Sequence, residues 1–230
     1  VSMLPELRAA KATAAGIEIG AAVTHAEIED GEVSGWTTAE SGKAPLVWLR
    51  EAAANIAHRA VRNRGTLGGS LAHADPAADW VIVMTGLGAQ VRLRAPEAQR
   101  DVAVSDFVTG PFETALQPGE LIASVHVPRP GPNARWGYWK FVRQVGEFAK
   151  ASATVLVDPD AAAPRIAVGA LGRQPLVLKP NVATDFAAGK LTAQEALAAT
   201  LPERNIRDLA LHVAALNNAL AKAHNESEPR

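Results

Sequence analysis

The sequence predicts an α+β fold with antiparallel strand pairing. Three observations predict it. Alternating apolar runs, among them "GIEIGAAV" from Gly16 and "LIASVHVP" from Leu121, have the two-residue period of half-buried strands. Segments with helical apolar spacing fall between them irregularly, without the regular strand–helix–strand alternation of a parallel sheet. Glycine and proline turns surround the later strands. With 230 residues, 48% of them hydrophobic, the chain can bury a core unaided, as one large or two small units.

In chain order, the strand at Gly16 hands over to a short helix near His25, marked by Thr24 with Glu27 three residues on, a capping box. "PLVWLREAAANIAHRAV", from Pro45, sets Leu46, Leu49, Ala53 and Ile56 at helical spacing, with the proline near the first turn. It runs straight into a glycine-rich stretch. From Asp75, "DPAADWVIVMTGLG" predicts a second helix, with Asp75 as N-cap and Pro76 at the first helical position. Strands follow at "AQVRLRA", "LIASVHVP" and "RWGYWKFVRQ". The segment "VPRPGPNAR", Val127 to Arg135, is the best candidate boundary and divides the chain into units 1–130 and 131–230. Beyond it, "SATVLVD" and "RIAVGAL" predict two apolar strands, and "TAQEALAATL" predicts a helix capped by Thr192 and Glu195. A last amphipathic helix is expected from Ile206 to Ala223, followed by a frayed tail, "NESEPR".

Composition excludes several functions. A net charge of −1 gives no electrostatic case for nucleic acid or an anionic membrane as the main partner. The chain has no cysteine, hence no disulfide, no thiolate nucleophile and no iron–sulfur cluster of its own. No apolar run approaches the ~20 residues of a membrane span, and the N-terminus lacks a signal pattern, so a cytoplasmic location is expected.

The densest chemistry lies in "AVRNRGTLGGSLAHADPAAD", Ala60 to Asp79. Gly65, Gly68 and Gly69 free the backbone for positive φ and close approach, and inward-facing amides there would form a nest for phosphate oxygens. Thr66 and Ser70 add hydroxyls, while Arg62 and Arg64 suit either a diphosphate or nearby carboxylates. The glycine spacing fits neither the Walker pattern nor the dinucleotide fingerprint, so by itself it is equally a plain turn.

The longer string "IAHRAVRNRGTLGGSLAHADPAAD" resembles the signature of the FAD-binding medium subunit of the molybdenum hydroxylases, the family of carbon monoxide and xanthine dehydrogenases. The resemblance continues through "SDFVTGPFETALQPGELIASVHVP" and "YWKFVRQVGEFAKASATVLV", to about Leu171. It implies an α+β FAD domain of the vanillyl-alcohol-oxidase (PCMH-like) type, followed by a small α/β CO-dehydrogenase-flavoprotein C-terminal domain. It also implies a flavin that relays electrons from [2Fe-2S] clusters on a small subunit, reduced in turn by a molybdenum cofactor on a large one. The assembly implied is a hetero-oligomer, such as a dimer of heterotrimers.

Carried over by position, Gly65, Thr66, Gly68, Gly69 and Ser70 would surround the FAD diphosphate, and Asp79 would bond the adenosine ribose. Ile56 would pack on the cofactor, Ile122 would lie against its adenine or flavin region, and Lys140 and Phe148 would stand near the isoalloxazine ring. The family often has Tyr at the Phe148 position and Asp at Glu147. Family members also carry, ahead of Val1, a segment with a second glycine-rich turn around the diphosphate, so the FAD domain is expected to be N-terminally incomplete. The sequence is then a fragment, or the segment is a separate chain, or FAD binding is weakened or lost, which leaves a non-catalytic scaffold subunit as the alternative.

Other readings of the same residues are weaker. His58, His73, Asp75 and Asp79 match no compact metal motif. Ser70, His73 and Asp75 lack a nucleophile elbow. His25 is expected at the surface or as a cap, and His126 toward solvent or a neighbouring strand. Trp36, Trp48, Trp80, Trp136 and Trp139 are assigned to packing, with Trp136 and Trp139 on opposite strand faces and one of them at a domain or subunit interface.

Overall fold

The computed structural model describes residues 4–35 and 44–225; Trp36 and most of the C-terminal tail lie outside them. Its first sheet has five antiparallel strands: β1 (Ala10–Ala12), β2 (Gly16–Gly20), β3 (Gln90–Arg94), β4 (Gln99–Ala103) and β7 (Leu121–Pro128), in the order β1-β2-β7-β3-β4. The short pair β5 (Val108–Gly110) and β6 (Glu113–Thr114) stands beside it. A second antiparallel sheet runs β11-β10-β9-β8, from β8 (Arg135–Phe141), β9 (Ala151–Val157), β10 (Arg165–Gly169) and β11 (Leu176–Val177).

Helices join and cover these sheets. α1 (His25–Asp30) starts on the expected capping box: Thr24 Oγ1 accepts from the Glu27 amide, and the Glu27 carboxylate accepts from the Thr24 amide at 2.7 Å. The helix expected from Pro45 to Val61 is broken. α2 (Leu46–Ala54) stops before Ala57, whose φ of 40° is left-handed, and α3 (Arg59–Arg62) is a separate turn.

The glycine-rich stretch differs from the expected loop. Leu67–His73 is a helix, α4, with Thr66 as its N-cap. The helix predicted from Asp75 begins later, as α5 (Asp79–Gly86), and Asp75 instead closes a tight turn by accepting from the Ala77 amide at 2.8 Å. Every residue of α5 is buried: it packs on β9 and β10 of the second sheet and is apolar except for Asp79 and Thr85.

β8 lies where the two halves of the molecule meet. Trp136 and Tyr138 point into the first core, where Trp136 stacks on Trp48 at 5.8 Å, while Trp139 packs against the second. The opposite-face expectation for Trp136 and Trp139 is thereby met. α6 (Val104–Phe107) belongs with the first sheet, and the second core is closed by α7 (Pro180–Ala187), α8 (Ala193–Thr200) and α9 (Ala210–Asn225). α9 sits so close to β8 that a Cβ on Gly137 would lie 1.8 Å from the Ala219 carbonyl oxygen. The segment Val127 to Arg135 connects β7 to β8, tied down by the Gly131 amide donating to Asp158 at 2.8 Å.

Candidate functional site: a two-chambered cleft at the start of α4

Two cavities open on either side of the α4 N-terminus and share Thr66 and Gly69 as common wall. The larger, about 660 Å³, is lined by Ile56, Gly65, Ser70 and Asp79 besides those two, with Phe148 at its rim, 56% exposed. The smaller, about 360 Å³, is lined by Gly68, Ala21, Leu116 and Ile122. Nine of the ten sequence-assigned residues therefore line one or the other of these two adjoining cavities. Lys140 lies behind the wall of the larger one, where it holds Asp79.

The chemistry of the glycines is not the one expected. Gly65, Gly68 and Gly69 have ordinary negative-side backbone conformations, and the nest of open amides does not form. Thr24 and Thr66 form an antiparallel bridge, so the Leu67 amide donates to the Val23 carbonyl at 3.0 Å and the Gly68 amide to Ala21 at 2.9 Å. The Gly65 amide donates to Val61, the Gly69 amide to Thr66 Oγ1, and the Ser70 amide to the Thr66 carbonyl. What glycine supplies instead is close approach. A Cβ on Gly68 would stand 2.5 Å from that of Ala21, and one on Gly65 would stand 2.6 Å from His25 Nε2. A Cβ on Gly69 would meet only Thr66 Oγ1, at 2.8 Å, and would otherwise project from the wall of the cleft. That bare wall, flanked by the Thr66 and Ser70 hydroxyls, fits a slender polar group passing between the chambers.

Of the two candidate arginines, Arg62 is committed elsewhere: it donates to Glu29 at 2.7 Å and to the carbonyls of Ile56 and Ala57. Arg64 lines the larger chamber and makes no ion pair among the described residues.

Asp79 is the buried charge of the site. Its Oδ1 accepts from Tyr138 Oη at 2.5 Å and pairs with Lys140 Nζ at 2.8 Å, and Lys140 also donates to the Asn55 carbonyl. Burial pushes the carboxyl up from its ordinary range, against the opposing pull of Lys140 and Tyr138. Burial, then the Asp79 charge, pushes the Tyr138 phenol well above its ordinary value. Tyr138 was not among the sequence-assigned residues; its alternation with Trp136 on one face of β8 was the available signal.

His25 is a correction. Far from lying at the surface, it is 5% exposed and forms part of the larger chamber. Its Nδ1 accepts from Trp80 Nε1 at 2.9 Å. Burial, helped by Arg62, lowers its pKa to about 4. His73 also lines the chamber, its ring 5.1 Å from that of Phe112.

An α+β domain with a divided cleft beside a glycine-walled helix start defines a protein that holds an elongated cofactor. The chain belongs to the family of FAD-binding domains in molybdopterin dehydrogenases, whose family model matches residues 1–130. It is similar to the medium subunit of nicotine 6-hydroxylase of Paenarthrobacter nicotinovorans, 36% identical over 156 residues, covering 66% of this chain and 52% of that one. It is also similar to the carbon monoxide dehydrogenase medium chain of Afipia carboxidovorans, 38% identical over 114 residues, covering 50% and 40%. The chain thus spans about half the length of the curated relatives it matches. Among solved structures it superposes on quinoline 2-oxidoreductase from Pseudomonas putida 86 with a TM-score of 0.81 at 28% identity, covering 97% of this chain and 80% of that one. Reconstituted CO dehydrogenase from Oligotropha carboxidovorans gives 0.83 at 25% identity, covering 96% and 80%.

Proposed function

We propose that this chain holds FAD in the two-chambered cleft and serves as the electron-carrying flavin subunit of a heteromeric molybdenum hydroxylase. The observation that carries this reading is the meeting of both chambers at Thr66 and Gly69, where a missing side chain leaves room for a diphosphate. FAD supplies the redox chemistry, accepting electrons from one partner and passing them to an external acceptor. The chain's own residues bind and orient it. Thr66, Ser70 and Arg64 face the diphosphate, Ile122 packs against one end of the cofactor, and Ile56 and Phe148 pack against the other. Asp79, held by Tyr138 and Lys140, presents a fixed carboxyl to the larger chamber. The partners proposed are a small subunit with [2Fe-2S] clusters and a large subunit with the molybdenum cofactor, in the cytoplasm, and the domain boundary proposed is at 130/131. A scaffold subunit without FAD is less well supported, because the family model that matches residues 1–130 is that of an FAD-binding domain.

The test is flavin content. Acid denaturation of the purified protein is expected to release FAD, and Gly69→Leu is expected to empty the cleft while the thermal unfolding profile stays that of the parent. Flavin retained by Gly69→Leu would remove the assignment of this cleft.

A further inference from the structure

We propose that His25 is a direct hydrogen-bond donor to the bound cofactor, with its Nε2–H aimed into the larger chamber at an acceptor oxygen of the dinucleotide. The inference rests on the assignment of the cleft to FAD and adds a contact to it. An indole N–H can only donate, so the 2.9 Å bond from Trp80 Nε1 makes His25 Nδ1 an acceptor. In a neutral imidazole the proton then sits on Nε2. The ring is 95% removed from solvent by its 5% exposure, yet it lines the chamber.

Nε2 makes no hydrogen bond among the described residues, and it faces Gly65, where a Cβ would lie 2.6 Å away. Any side chain at position 65 would cover it. A polar atom of a largely buried ring, without a protein partner, left uncovered by a glycine and reachable from a cleft, is a group awaiting a ligand acceptor. The depressed pKa keeps the ring neutral near pH 7, so it acts as an oriented dipole and adds no charge to that of Arg64. The Trp80 indole fixes both tautomer and ring plane, since the two rings are tilted by 52° at 6.0 Å. Trp80 is thus a positioning residue for this contact.

Nitrogen NMR of the full chain tests the tautomer directly, and titration with FAD tests the contact. The expected result is an Nε2-protonated ring in the free protein whose Nε2–H signal moves when FAD is added. ADP alone moving that signal identifies a phosphate oxygen as the acceptor, and riboflavin alone moving it identifies a ring carbonyl. His25→Leu, which removes the donor, is expected to weaken FAD about tenfold, and His25→Gln, whose side-chain amide can still donate, to weaken it less. Trp80→Phe, which keeps the imidazole but frees its tautomer, is expected to weaken FAD less and to mix the two ring forms. An Nδ1-protonated ring overturns the proposal, as does FAD that binds with unchanged affinity to His25→Leu and leaves the ring signals of the parent unmoved. A parent chain that binds no FAD overturns the cleft assignment together with it.

Discussion

The Asp79–Lys140 pair shows how a single buried charge makes its neighbours obligatory. Lys140→Met strands the carboxylate in a site where burial already disfavours it, and is expected to cost about 3–5 kcal/mol in urea unfolding. Adding Asp79→Asn should restore most of that loss, since the amide still accepts from Tyr138. His25 makes a second residue-level prediction. Its folded pKa of about 4 lies below the ordinary 6.5, so the unfolded chain binds the proton first. Its contribution is complete above pH 6.5 and is lost as the pH falls toward 4, by about 3 kcal/mol in all. Unfolding midpoints measured across that window should decline in the parent and flatten in His25→Gln. The partners of His25 and Tyr138 were not legible from local pattern: Trp80 stands 55 positions from His25, and Asp79 stands 59 from Tyr138, whose inward face alone was readable from β8.

α4 shows where an element escapes local reading. Three glycines in six residues argue against a helix by propensity. Tertiary bonds override this, because the bridge to Thr24 anchors the backbone at Thr66 and lets the helix start there. Gly68→Ala is therefore expected to cost about 1–3 kcal/mol, as helix and Ala21 backbone are forced apart. Gly69→Ala crowds the capping Thr66 hydroxyl at 2.8 Å but gains helix propensity, so the two effects offset and its melting temperature should fall less than that of Gly68→Ala. Elements whose determinants are neighbours in sequence were readable: Thr24 with Glu27 and Thr192 with Glu195 both form the capping boxes that their spacing announced. β4, "QRDVA", was not, because its outer-edge position leaves it only partly buried and its alternation weak.

Taken whole, the molecule is joined along β8, whose two faces belong to different cores. Trp136→Ala is expected to cost about 3–5 kcal/mol. Because Trp136 shares a strand with Trp139, fluorescence and circular dichroism should still report one coincident transition. Two separated transitions in the parent would contradict the shared strand as a mechanical link. The glycine wall at Gly69 has a consequence for selectivity. The chambers of about 660 and 360 Å³ share only Thr66 and Gly69 in their linings. A ligand that reaches from one to the other must cross the bare surface at Gly69, and its middle must be narrow there.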